Sequence, residues 1–77
     1  MEYRKNSIEV HKDAIEKGSK VLIVDDLLAT GGTAAAMVKL IEDLGAEIHE
    51  LAFMIELEDL KGRELLHGNK VYSQLKY

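Results

Sequence analysis

The chain has 77 residues, enough for one small domain, with a formal net charge of −4 at pH 7 and no cysteine. The acidic balance and the scattered Lys and Arg residues argue against a nucleic-acid or membrane-surface binder. The lack of cysteine excludes a disulfide framework and a thiolate metal site. No apolar run is long enough for a membrane span and residues 1–6 lack a signal-peptide pattern, so we expect a cytoplasmic protein.

The first third of the chain predicts two strands separated by a connection. Apolar and polar residues alternate in Ile8-Glu9-Val10-His11, which is typical of a short strand. Residues 12–20 contain Gly18-Ser19 and are interpreted as a connection with one helical turn at residues 13–15. Residues 21–24 are apolar on both faces, which predicts a strand covered by a layer on either side.

A helix is predicted from Thr33 to Leu44. Thr33 is a suitable N-cap, and Gly45 is placed to end the helix. Apolar residues recur with i, i+3, i+4, i+7 spacing and predict one stripe, which packs into the core or forms a dimer face. The stripe consists of Met37, Leu40, Ile41 and Leu44.

The remaining elements complete an α/β pattern. Residues 48–55 predict a strand that a right-handed crossover lays beside the first parallel strand. Residues 57–66 indicate a loop with a short helix, and residues 71–75 a last strand at an edge. The expected fold is a single partial domain, residues 1–77, with a partial doubly wound, Rossmann-like parallel sheet of three or four strands. One substantial helix would leave one sheet face largely uncovered.

An acidic pair follows the central apolar strand. Ligands of open α/β sheets bind outside the carboxyl ends of the strands, where Asp25 and Asp26 are expected. Two carboxylates can accept the vicinal hydroxyls of a ribose or face a divalent ion. A solvated acidic turn and general acid/base catalysis are the alternatives. Neighbouring strand residues point to opposite faces, so at most one carboxylate aims squarely at a ligand.

A loop of small residues runs from the acidic pair into the helix. It offers consecutive backbone amides, two hydroxyls and the positive end of a helix, which together suit a phosphate group. The alternative is a tight Gly-Gly turn in which Thr33 serves only as an N-cap. Combined with the acidic pair, the loop predicts a site for a ribose 5-phosphate. Its residues are Ala29, Thr30, Gly31, Gly32 and Thr33.

Three further groups are interpreted as surface features. The histidines have separations that match no metal-ligand spacing; they are His11, His49 and His67. The run Lys61-Gly62-Arg63 favours a solvated turn over an anion site. The acidic residues after the strand at 48–55 favour a solvated loop over a cation site; they are Glu56, Glu58 and Asp59.

The run Val21-Leu22-Ile23-Val24-Asp25-Asp26-Leu27-Leu28-Ala29-Thr30-Gly31-Gly32-Thr33 resembles the phosphoribosyl pyrophosphate motif of the type I phosphoribosyltransferases. Its Asp-Asp-Leu-Leu-Ala-Thr-Gly-Gly-Thr portion is similar to the form in the adenine phosphoribosyltransferase branch. The resemblance continues through residues 8–15, 55–63 and 73–77, so it covers essentially the whole chain. Arg4 departs from it, since the family usually has glycine there.

The resemblance implies transfer of a phosphoribosyl group from phosphoribosyl pyrophosphate, complexed with Mg²⁺, to adenine, giving AMP and pyrophosphate. Asp25 and Asp26 would hold the ribose 2′ and 3′ hydroxyls, and the loop from Ala29 to Thr33 the 5′-phosphate. Leu27 and Leu57 would pack against the purine. The site has no metal ligand of its own, and the complete protein is expected to be a homodimer.

Members of this family are roughly twice as long as this chain, which resembles their carboxyl-terminal part. The adenine-recognising hood, the pyrophosphate loop and the loop with the catalytic Glu have no counterpart here, so no catalytic residue is assigned. Two alternatives remain open beside the enzyme: a non-catalytic phosphoribosyl pyrophosphate or nucleotide-binding module or inactive remnant, and an α/β piece that another chain completes.

Overall fold

A mixed sheet with two helices organises the chain. The structure, a computed structural model, describes residues 2–5, 8–11 and 17–77. The predicted helical turn at residues 13–15 lies outside the described residues. The elements in chain order are β1 (Glu2–Lys5), β2 (Ile8–His11), β3 (Lys20–Leu28), α1 (Gly32–Asp43), β4 (Glu47–Glu56), a 3₁₀ turn (Glu58–Leu60), α2 (Gly62–Leu65) and β5 (Val71–Lys76).

The strands lie side by side in the order β1-β2-β3-β4-β5. The β1–β2 and β2–β3 pairs are antiparallel, whereas β3–β4 and β4–β5 are parallel. The α/β class and the parallel pairing of the central strands are confirmed. The described residues form five strands, so the prediction of three or four is wrong. The missing strand is β1, whose charged residues lack a clear alternation and which is defined by its pairing with β2.

The core lies between one face of the sheet and α1. From the sheet it takes Val21 and Ile23 of β3 and Leu51 and Phe53 of β4, all at most 2% exposed. Residues that pair across neighbouring strands share a face, and Ile23 pairs with Leu51. Leu66, just after α2 in the connection between β4 and β5, also belongs to this core.

The buried stripe of α1 differs from the predicted one. Met37 and Ile41 are buried as expected, but Leu40 and Leu44 are 50% and 55% exposed. The core-facing residues are Ala34, Met37, Val38 and Ile41. The predicted stripe lacks Ala34 and Val38 because the prediction favours larger side chains. The helix ends as predicted, with Gly45 in the left-handed conformation at φ 88°.

The other face of the sheet is partly exposed in the described part of the chain. By alternation and register it carries Leu22, Val24, Ala52, Met54 and Tyr72, and we call this set the open face. Met54 is 60% and Tyr72 52% exposed. The prediction of one largely uncovered face therefore agrees with the described residues. Neither α1 nor α2 has the length and apolar character that a membrane span requires.

Truncation of Ile41 to Ala should lower the free energy of unfolding by about 2–5 kcal/mol, because it leaves a cavity against the sheet. The matched variant Leu40→Ala, on the solvent side of the same turn, should change it by about 0.5 kcal/mol or less. Urea unfolding followed by circular dichroism measures both. Equal losses would contradict the position of the core.

Candidate functional site

The predicted site residues gather where β3 and β4 end. Leu28 and Glu56 are register partners at these ends, and the amide of Leu57 donates to the Leu28 carbonyl oxygen over 2.9 Å. The acidic pair precedes Leu28 in β3, and the small-residue loop follows it. The fold therefore brings the acidic pair, the loop and Leu57 to one edge of the sheet, as the sequence predicts.

The acidic pair lies within β3, which continues to Leu28. The prediction that the strand ends at residue 24 is wrong, because residues 25, 27 and 28 keep their pairing with β4. Asp25 is half-buried and Asp26 exposed. The amide of Asp26 donates to Oδ1 of Asp25 over 2.8 Å. Because Asp25 is half-buried and accepts this backbone hydrogen bond, Asp26 is the more accessible of the two carboxylates.

The loop turns into α1 through Gly31. Gly31 is the N-cap at φ 87° and ψ −3°, a left-handed conformation that favours glycine. The amide of Ala35 donates to the Gly31 carbonyl oxygen over 2.8 Å, so α1 begins at Gly32. The prediction of Thr33 as N-cap is therefore wrong, because Thr33 is the second residue of α1 and is exposed on its first turn.

The arrangement can bind a phosphate without a cationic side chain. The amides of Gly32, Thr33 and Ala34 lie in the first turn of α1, where no intrahelical acceptor exists. The hydroxyl of Thr30 accepts only a long bond, 3.4 Å, from the Gly32 amide. Thr30, Gly32 and Thr33 are exposed. The amides of Gly32 and Thr33, the two threonine hydroxyls and the positive end of the twelve-residue helix therefore lie together at an exposed surface.

Two leucines place partly exposed apolar surface at the same end of β3 and β4. Leu27, at the end of β3, is 44% exposed. Leu57, directly after β4, is half-buried. Leu27 is the next-to-last residue of β3 and Leu57 follows the last residue of the neighbouring parallel strand β4, so both lie at the same edge as the acidic pair. Exposed apolar surface next to a polar loop is suited to a flat, partly apolar ligand.

A partly buried ion pair joins α2 to the end of β4. Arg63 donates from Nη2 and Nε to the two carboxylate oxygens of Glu56 over 2.7 and 3.2 Å, and from Nη1 to the Val71 carbonyl oxygen over 3.0 Å. Ser73 Oγ donates to Glu56 Oε1 over 2.8 Å. The hydrogen bonds from Arg63 hold the pKa of Glu56 below its usual value, and the same pairing raises the pKa of Arg63.

This pair corrects two sequence interpretations. Glu56 is 3% exposed and not part of a solvated loop, and Gly62 is buried within a turn predicted to be solvated. The missed signal is the position of Glu56, a carboxylate directly after five apolar residues. Burying a charge at such a position costs free energy unless a partner of opposite charge pairs with it, and Arg63 is that partner. Within the described ranges, His, Asp and Glu form no cluster able to hold a metal ion.

Residues 2–74 match the profile of the phosphoribosyl transferase domain family. The chain belongs to this family. The adenine phosphoribosyltransferase of Clostridium botulinum is 53% identical over 77 residues, which cover all of this chain and 45% of that protein. The Clostridium kluyveri enzyme of the same name is 57% identical with the same coverage. The chain thus spans a little under half the length of these relatives.

Solved structures show the same similarity. The adenine phosphoribosyltransferase of Thermoanaerobacter pseudethanolicus superposes with a TM-score of 0.81 at 46% identity, covering 100% of this chain and 47% of that one. The Trypanosoma brucei enzyme, solved with AMP, pyrophosphate and ribose-5-phosphate, gives 0.75 at 30% identity, covering 88% and 32%. The family resemblance inferred from the motif is therefore confirmed. The expected phosphoribosyltransferase fold is confirmed as well.

The Glu56–Arg63 pair predicts a pH-dependent contribution to stability. Because the pKa of Glu56 is lowered in the folded chain, its contribution is complete above the ordinary value of 4.5 and is lost as the pH falls through the lower folded value. Glu56→Gln should lower the free energy of unfolding at neutral pH by about 1–2 kcal/mol, discounted because Arg63 is partly exposed.

The difference between wild type and Glu56→Gln should shrink below about pH 4.5, measured by urea unfolding across that range. Glu64→Gln, an exposed carboxylate of α2, is the control for the loss of one negative charge. A difference that stays constant with pH would contradict the role of the ionised pair.

Proposed function

We propose that this chain supplies the ribose 5-phosphate-binding part of an adenine phosphoribosyltransferase. The observation that supports the proposal is that the acidic pair in β3 lies next to a small-residue loop at the start of α1, in a chain of the phosphoribosyl transferase domain family. The reaction joins a ring nitrogen of adenine to C1′ of phosphoribosyl pyrophosphate, and pyrophosphate leaves. Relatives with this name support adenine as the acceptor base.

Each site residue has a defined role in this proposal. Asp25 and Asp26 accept hydrogen bonds from the ribose hydroxyls. The amides and hydroxyls from Ala29 to Thr33 bind the 5′-phosphate, and Leu27 and Leu57 contact the purine. Holding the ribose at both ends fixes C1′ for displacement, so these residues contribute by positioning and by charge stabilisation. Covalent attack by a side chain is not required.

The proposal includes the form of the substrate and the assembly. Mg²⁺ arrives as the complex with phosphoribosyl pyrophosphate and offsets the repulsion between its phosphates and the acidic pair. The complete protein is proposed to be a cytoplasmic homodimer that binds phosphoribosyl pyrophosphate, adenine and AMP. The chain is proposed as one partial phosphoribosyltransferase domain.

The second candidate is a binding module without turnover, because every site residue assigned above contributes by binding the ligand. Two measurements separate the candidates: AMP formation from adenine, phosphoribosyl pyrophosphate and Mg²⁺, and AMP binding. AMP formation together with AMP binding supports the enzyme, whereas AMP binding without AMP formation supports the module.

AMP should shift the amide resonances of Gly31, Gly32 and Thr33 in a ¹H–¹⁵N spectrum.

Asp25→Asn combined with Asp26→Asn should weaken AMP binding by about tenfold or more, because hydrogen bonds to charged acceptors are lost. Glu42→Gln with Asp43→Asn, an exposed acidic pair at the far end of α1, matches the charge change. Equal affinity in both double variants would contradict the ribose role.

Gly32→Val should abolish binding of ribose 5-phosphate while the chain stays folded. A Cβ on Gly32 would have one neighbour, the hydroxyl oxygen of Thr30 at 3.7 Å, so the protein tolerates the bulk. The same bulk would stand between the phosphate and the loop amides. Calorimetry with ribose 5-phosphate measures the loss, and circular dichroism verifies the fold. Retained affinity would show that the phosphate binds elsewhere.

A further inference from the structure

We propose that Gly62, the first residue of α2, is a positioning residue for the phosphate loop. Gly62 is buried although the turn around it is polar. A Cβ built on it would overlap the carbonyl oxygen of Ala29 and lie 3.0 Å from the Gly31 nitrogen. The backbone of α2 is therefore in direct contact with the backbone of the loop, about thirty residues earlier in the chain.

The contact is reciprocal. A Cβ on Gly31 would overlap the carbonyl oxygen of Gly62 and lie 3.1 Å from both its carbonyl carbon and its Cα. Gly31 thus requires glycine for two reasons, the left-handed backbone at φ 87° and the space taken by α2. Neither glycine can carry a side chain without moving the other segment. The position of α2 therefore determines how the loop turns into α1.

The Glu56–Arg63 pair holds α2 in this position. Arg63 follows Gly62 directly and reaches both the carboxylate of Glu56 in β4 and the carbonyl oxygen of Val71 in β5. Bidentate pairing fixes direction as well as distance. Because two parallel strands anchor the residue after Gly62, the sheet itself sets the distance between α2 and the loop. Gly62 acts on the phosphate through the loop and does not touch it.

This inference rests on the proposed function, since it assigns what keeps the phosphate-binding amides in place. A purely structural role would lower the folded fraction and so reduce the affinity for every ligand by the same factor. A positioning role would selectively reduce the contribution of the phosphate. The ratio of the affinities for AMP and adenosine, which differ only by the 5′-phosphate, separates the two roles.

Gly62→Ala should reduce the preference for AMP over adenosine by about tenfold or more, because small displacements of binding groups have large effects. Titrations of the whole 77-residue chain with each ligand, followed by ¹H–¹⁵N spectra, give both constants. The control is Gly68→Ala. It places Ala at φ +92°, so it costs backbone energy, but its Cβ would meet nothing within 4 Å. Its preference for AMP should equal that of the wild type.

A second variant covers the case in which Gly62→Ala does not fold. Glu56→Gln with Arg63→Met releases α2 without adding an atom to the contact and without leaving a buried unpaired charge. It should also reduce the preference for AMP. An unchanged AMP-to-adenosine ratio in the folded variants would overturn the positioning role alone. A wild-type chain without preference for AMP would overturn the proposed function, and the positioning role with it.

Discussion

The close approach of Gly31 and Gly62 is the constraint on which the site depends. Two backbones pack there with no side chain between them, so the loop after β3 and the helix after β4 behave as one unit. Parallel strands bring their carboxyl ends to one edge, which is why segments so distant in the chain meet. The Glu56–Arg63 pair then joins this unit to β4 and β5.

Local patterns were sufficient for most elements. The alternation in Ile8–His11 and the apolar run at 21–24 predicted β2 and the start of β3, and residues 48–55 and 71–75 predicted β4 and β5. The apolar pattern does not predict the continuation of β3 through Asp25 and Asp26, because these charged residues interrupt it. Hydrogen bonds to β4 override that local preference. β1 was missed for the same reason, since only its partner strand defines it.

The candidate site likewise has one part that the sequence predicts and one part that it does not. Its ligand-facing part is contiguous in sequence, so a motif could indicate the acidic pair and the loop. Its supporting part depends on contacts between distant residues, such as Ser73 with Glu56 and Gly62 with Ala29. Because Gly62 is buried against the loop, the run Lys61-Gly62-Arg63 supports the candidate site and is not an ordinary polar turn. Composition alone does not distinguish these two situations.

The open face of the sheet has a consequence for solution behaviour. Val24, Ala52, Met54 and Tyr72 form a contiguous apolar surface, of which Met54 and Tyr72 are more than half exposed. Exposed surfaces of this kind favour self-association. With a net charge of only −4, electrostatic repulsion between copies is modest and weakens further with added salt. Sedimentation and relaxation rates of this chain should therefore depend on its concentration and on ionic strength.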